Sequence, residues 1–138
     1  MTTKIAERKA TFKKLTPVLA VEDVAKTVEY YEKVLGFSRG ITVPDAPPFV
    51  FASVSAGEIE IMFQQKDSLV QDLPVLKGRV IGNCSTLYLE VEGLRALYDS
   101  LKRNRATIVK DLHKTFYGTE EFYISDSNGY VLGFTEKA

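Results

Sequence analysis

With one histidine, His113, and one cysteine, Cys84, in 138 residues, the chemistry open to this chain is bounded from the start. Nucleophilic catalysis by serine or cysteine needs a base beside the nucleophile, and no such motif occurs. A glycine-rich phosphate loop and a Cys-x-x-Cys pair are absent as well. His113 precedes Tyr117-Gly118 as a lone imidazole, for which a surface position is the ordinary role. Lys33, Lys102, Arg103 and Arg105 fall on helices or at their ends, where basic residues form a solvated face. Binding chemistry is better represented. Phe49, Phe51, Met62, Tyr88 and Tyr117 offer an apolar, stackable surface, and Thr16, Gln64 and Thr86 add polar contacts, the usual make-up of a small-molecule pocket. Glu60 and Glu90 would recognise an amine-bearing ligand if they face a cavity. Otherwise they reach solvent or a neighbouring lysine.

Two similar sets of elements must position these residues. From Leu15 to Val21 apolar residues alternate as a strand. Asp23 is a good N-cap, since its carboxylate can accept from an unpaired first-turn amide. Val24, Val28, Tyr31 and Leu35 then recur at helical spacing. Gly36 fits the left-handed residue that closes a helix, and Phe37 can fold back over the last turn. Strands are predicted at Ser38 to Val43, at Phe49 to Val54 with Phe49 and Phe51 on one side, and at Glu58 to Gln65. In the last of these Ile59, Ile61 and Phe63 face one way and Glu60, Met62 and Gln64 the other. The order β-α-β-β-β then repeats. Cys84 to Val91 is a strand, and Leu94, Leu97, Tyr98 and Leu101 stripe a helix. Strands follow at Ala106 to Leu112, Glu120 to Ser125 and Tyr130 to Thr135. Gly129 supplies the positive φ for the turn before the last. Thr16 to Asp23 aligns with Thr86 to Gly93, and Met62-Phe63-Gln64 with Gly133-Phe134-Thr135. A repeat of this size indicates like modules sharing one domain.

The chain therefore reads as a single α+β domain over 1–138: module 1 at about 14–65, a linker at 66–83 with a helical turn near Ser68 to Leu73, and module 2 at about 84–136. Neither half has enough apolar surface to cover itself alone. Formal net charge is +0, which implies no sequence-independent affinity for nucleic acid or anionic membrane. The opening segment is basic, with Lys4, Arg8, Lys9, Lys13 and Lys14 against Glu7, and reads as a solvated arm. No apolar run approaches the roughly 20 residues of a membrane span, and the start lacks a signal-peptide core. A lone cysteine cannot form an internal bridge and suits a reducing compartment, so the expected location is the cytoplasm.

Three stretches, VLAVEDVAKTVEYYEKVLGF, LYLEVEGLRALYDSL and YGTEEFYISDSNGYVLGF, resemble the glyoxalase/bleomycin-resistance, or vicinal oxygen chelate, superfamily from Leu15 to Phe134. The resemblance implies curved mixed sheets around a half-open cavity, helices outside, and assembly as a homodimer. Metal-dependent members of that family carry His, Glu or related ligands on the inward faces of the first and last strands of each module. Residue by residue, those positions fall here on Thr16, Met62, Thr86 and Gly133. Hydroxyls, a thioether and a glycine do not suit a divalent ion that wants imidazole and carboxylate. A one-residue bulge would substitute Glu60 for Met62, still leaving one carboxylate alone.

The resemblance is therefore nearest the metal-free bleomycin-resistance-like branch. The expected function is sequestration of a planar or amphiphilic organic molecule, as in antibiotic resistance, with no cofactor and no catalytic residue. The expected ligand-contacting set is Thr16, Phe49, Phe51, Glu60, Met62, Gln64, Thr86, Tyr88, Glu90, Tyr117 and Gly133. The alternative is a divalent-metal-dependent lyase, isomerase or dioxygenase of the same superfamily.

Overall fold

The computed structural model describes residues 10–138. Lys4, Glu7, Arg8 and Lys9 of the basic opening segment lie outside the described residues. Module 1 comprises β1 (Val18–Val21), α1 (Val24–Lys33), β2 (Ser38–Val43), β3 (Phe51–Ala56) and β4 (Ile59–Gln65). Helix α2 (Lys66–Asp72) and a 3-10 turn (Pro74–Leu76) lead into module 2. That module comprises β5 (Thr86–Glu90), α3 (Leu94–Arg103), β6 (Thr107–Lys114), β7 (Thr119–Ser125) and β8 (Val131–Lys137). The strands form two four-stranded mixed sheets, ordered β1-β4-β3-β2 and β5-β8-β7-β6. The first and last strands of each module are parallel partners, so the repeat seen in the sequence is a repeat of topology. The sheets are curved but not closed.

Alternation decides which face of each sheet meets its helix. Val54 pairs with Ile61 and Ala52 with Phe63, and all four are buried beneath α1. The Tyr31 ring packs on Phe63 at 4.9 Å and on Phe37 at 5.6 Å. In module 2, Phe122, Ile124, Leu132 and Phe134 are buried in the same way. Tyr98 of α3 meets Phe122 at 5.2 Å.

The helix ends follow the residues that form them. The Asp23 carboxylate accepts from Lys26 N at 3.0 Å. Gly36, with φ of 77°, lets Phe37 N reach back to Tyr31 O at 2.9 Å, which closes α1 as the sequence predicts. The second helix starts differently. Gly93 has no side chain to cap with, and the Glu136 carboxylate on β8 accepts from Gly93 N at 3.0 Å and Leu94 N at 2.9 Å instead. Those two bonds hold the Glu136 carboxyl below its ordinary value.

Some boundaries differ from the sequence reading. Pro17 has no N–H to give, and the β1 ladder starts at Val18, although the Pro17 carbonyl still accepts from Met62 N at 3.0 Å. Strand β3 begins at Phe51, so the alternation does not extend back to Phe49. The linker is more ordered than one turn: the Gln65 side chain accepts from Asp67 N at 2.9 Å and Ser68 N at 3.2 Å and so starts a full helix.

The turn Asp126-Ser127-Asn128-Gly129-Tyr130 joins the modules. Asp126 Oδ1 accepts from Asn128 N and Tyr130 N, both at 2.9 Å. Tyr31 OH of α1 donates to Asp126 Oδ2 at 2.6 Å. Asn128 Nδ2 donates to Thr27 Oγ1 at 3.0 Å, and Tyr130 OH to Ala20 O at 2.7 Å. Burial pushes the Asp126 carboxyl upward against the pull of these donors, and burial with the neighbouring carboxylate raises the Tyr31 phenol strongly.

Candidate functional site

The face of sheet β5-β8-β7-β6 turned away from α3 carries the densest polar constellation among the described residues. Its centre is Glu121 on β7. Phe122 and Ile124 point under the helix, so period-two geometry turns Glu121 and Tyr123 to the opposite, cavity side. Glu121 is 0% exposed. One carboxylate oxygen accepts from Tyr88 OH, from Thr119 Oγ1 at 3.1 Å and from Thr135 Oγ1 at 3.0 Å. The other accepts from Tyr117 OH at 3.0 Å and Tyr123 OH at 3.3 Å. Burial alone would raise this carboxyl. The hydroxyl donors Tyr88, Tyr117, Thr135 and Thr119 outweigh that cost and hold it below its ordinary value, ionised at neutral pH. The partners answer in the other direction. Tyr117 is pushed up to about 12 by its bond to Glu121, and Tyr123 is raised by burial and then by the same carboxylate.

Each donor arrives on a different element. Tyr88 comes from β5, and Thr135 from β8, where it pairs with Glu121 across the ladder. Tyr117 sits on the β6–β7 turn, which is closed by Thr115 N to Thr119 O at 2.8 Å and by contact of the Thr115 and Thr119 hydroxyls at 2.8 Å. Gly133 has a distinct role. A Cβ added there would lie 2.4 Å from Tyr123 Cε2, so the missing side chain leaves room for the tyrosine ring across the strand. A pocket of about 320 Å³ opens above this cluster, lined by Tyr88, Thr119 and Thr135 with Glu90, Glu136 and Lys137 at its rim.

The equivalent face of module 1 is plainer. Met62 lies between Val18 and Ser53 in the ladders, as Gly133 lies between Tyr88 and Tyr123. The same register sets Phe51 opposite Gln64 where module 2 has Glu121 opposite Thr135. Strand β4 pairs without a bulge on either side, so Met62, and not Glu60, holds the aligned position.

The structure brings Tyr88, Tyr117 and Gly133 of the sequence-derived set together around Glu121. Thr86 is exposed beside Tyr88 in a groove of about 360 Å³ between the modules, which Glu60 and Lys14 also line. Glu60 is paired there with Lys14 Nζ at 2.7 Å, and Glu90 is exposed. Thr16, Phe51 and Met62 are half-buried in module 1. Gln64 is turned toward α2, donating to Ser68 Oγ at 3.0 Å and Asp72 Oδ2 at 2.9 Å. Phe49 corrects the sequence reading. It is 5% exposed and part of the hydrophobic core, because it precedes β3 and does not share the facing of Phe51. His113 lies half-buried on β6 as the ladder partner of Glu121, with its Nδ1 2.7 Å from Asp111 O. Sequence reasoning missed Glu121, Tyr123, Thr119 and Thr135. Their signal was present in the alternation Thr119, Glu121, Tyr123 against Phe122 and Ile124.

Paired β-α-β-β-β modules with helices outside define the fold, and the second sheet adds an open polar–aromatic face. The family model for the Glyoxalase/Bleomycin resistance protein/Dioxygenase superfamily matches residues 14–134, and the chain belongs to that superfamily. Among solved structures it is similar to TioX from Micromonospora sp. ML1, with a TM-score of 0.76 at 17% identity over 92% of this chain and 100% of that one. A glyoxalase/bleomycin resistance protein/dioxygenase from Nocardioides gives a TM-score of 0.74 at 13% identity, over 97% of this chain and 90% of that one. A glyoxalase-related enzyme from Clostridium phytofermentans gives 0.71 at 21%, over 95% and 99%. At these identities the likeness is one of fold. No curated protein matches the chain.

A divalent metal, which the enzymes of this fold imply, does not fit the residues at hand. Thr16, Met62, Thr86 and Gly133 provide two hydroxyls, a thioether and no side-chain donor. Among the described residues no group of three or more His, Cys, Asp or Glu is placed to hold an ion. Glu121 is already saturated by five hydroxyl donors.

Proposed function

We propose that this chain binds a small organic molecule, planar or amphiphilic, on the open face of module 2, without a metal cofactor and without turnover. The observation that carries the reading is the convergence of Tyr88, Tyr117 and Tyr123 on one buried carboxylate, beside a pocket that Tyr88, Thr119 and Thr135 line. Three aromatic rings give flat contact area at low entropy cost, and fixed hydroxyls give orientation. Such an arrangement does not lower the pKa of a water or polarise a carbonyl as a metal would. The working unit in this proposal is a homodimer. Ile41 and Val43 on edge strand β2 and Val109 on edge strand β6 are exposed, and exposed apolar edges favour pairing.

The test is a thermal-shift screen of planar organic ligands on the purified protein, run beside titrations with zinc, nickel, manganese and iron. The expected result is stabilisation by organic ligands that Tyr88→Ala abolishes, with no response to metal. Stoichiometric metal retained through purification, or a chelator-sensitive glyoxalase or dioxygenase turnover, would overturn the proposal in favour of the enzyme. Light scattering at micromolar concentration should give a dimer mass, and a monomer would remove that part of the proposal.

A further inference from the structure

We propose that the module 2 pocket selects ligands carrying a protonated amine, seated on the phenol oxygens of Tyr88 and Tyr117 with the Glu121 carboxylate as its counter-charge. This deepens the binding function proposed above and rests on it. Among the described residues Glu121 has no ion-pair partner, since the four ion pairs all lie elsewhere, and its ladder neighbour His113 sets Nδ1 against Asp111 O. A buried charge is tolerated when it is hydrogen-bonded, and here hydroxyls alone supply the bonds. Its negative charge is therefore screened by dipoles and is not cancelled.

Tyr88 lines the pocket, and Tyr88 and Tyr117 are each 56% exposed. A phenol that donates its proton to a carboxylate keeps its oxygen lone pairs. The hydrogen bond polarises that oxygen and makes it a stronger acceptor for the next donor. The outer surface of the cluster thus presents acceptors and ring faces but no free phenolic proton. That surface repels a carboxylate or phosphate and suits an ammonium, which has N–H donors for the oxygens and a charge for the rings. At the rim Glu90 stands against Lys137, while the Glu136 carboxylate is turned to the start of α3. The acids singled out in the sequence do not supply this site, because Glu60 is neutralised by Lys14.

The experiment compares three probes of similar shape by calorimetry at neutral pH: phenethylamine, its neutral alcohol analogue, and its N-trimethylated quaternary analogue. The amine should bind at least tenfold more tightly than the alcohol, with the quaternary cation between them because it lacks N–H donors. In Glu121→Gln the amine-to-alcohol ratio should fall to within about threefold. Tyr117→Phe is the second variant, because it leaves Glu121 four donors and removes one surface acceptor. It should weaken the amine several-fold and leave the alcohol nearly unchanged. Equal binding of amine and alcohol to the wild type, or a ratio untouched in both variants, overturns the ammonium inference. If neutral planar ligands bind and amines do not, the inference fails while the binding function stands. If no organic molecule binds, both fail together.

Discussion

The two modules share a topology and a ladder register and differ in almost every residue that faces the cavity. At one position Met62 stands between Val18 and Ser53; at its counterpart Gly133 stands between Tyr88 and Tyr123. Bulk lost at the centre is returned by the flanks, so both faces stay filled while their chemistry diverges. The buried faces did not diverge in this way. Phe63 and Ile61 in module 1 match Phe134 and Leu132 in module 2, all nearly inaccessible to water. The face under a helix is held by packing, which punishes changes of volume. The open face tolerates exchange of a thioether for a glycine and of its flanking valine and serine for phenols. Capping shows the same freedom: a carboxylate serves both helices, from Asp23 in one and from Glu136 on a distant strand in the other.

The largest effects should show the cores to be alike. Phe63→Ala and Phe122→Ala each empty a fully buried ring site and should each cost about 3–5 kcal/mol in denaturant unfolding. A cost below about 1 kcal/mol in either would break the equivalence. The exchange of bulk across the cavity face comes next. Gly133→Ala puts a methyl against the Tyr123 ring and should destabilise by about 1–3 kcal/mol, as overpacking does. Adding Tyr123→Ser, which recreates the module 1 neighbour, should recover most of that loss in a double-mutant cycle. Additive behaviour would mean that the two sites are not complementary.

Helix caps give a smaller pair of effects. Asp23→Ala should cost about 1 kcal/mol, and Glu136→Ala should loosen exchange protection at the start of α3 while leaving α1 unchanged. The smallest effect concerns two carboxylates of module 2 whose pH dependences have opposite signs. Glu121 is held below its ordinary value, so its stabilisation is present above the unfolded-state pKa and is lost as pH falls through the lower folded value. The advantage of wild type over Glu121→Gln should therefore shrink below about pH 4. Asp126 is raised by burial, so its contribution is complete below the unfolded pKa and is lost as pH rises through the folded value. Asp126→Asn should gain on wild type over that rise. Denaturant unfolding at several pH values reads both, and slopes of the same sign would refute the contrast.

Of the site, the sequence reading included Tyr88, Tyr117 and Gly133, and it missed Glu121, Tyr123, Thr119 and Thr135 for a common cause. Glu121 could be assigned to the cavity face by counting from Phe122. Its donors could not be counted, since Tyr88 lies 33 residues away and Thr135 lies 14. Glu60 went the other way: its strand position was readable, but the Lys14 that neutralises it comes from the arm before β1.

What the sequence determined by itself is periodic and local. The alternation of Ile59, Ile61 and Phe63, the helical stripe through Tyr31, the Asp23 cap, the Gly36 closure and the internal repeat fix two β-α-β-β-β modules, because each depends on neighbours within a few residues. Tertiary structure decided which carboxylate the tyrosine hydroxyls converge on, that Phe49 belongs to the core, and that the Asp126 to Tyr130 turn holds the modules together. These depend on strand register and on contacts between distant segments, and a buried charge acquires its character only from groups that folding brings around it.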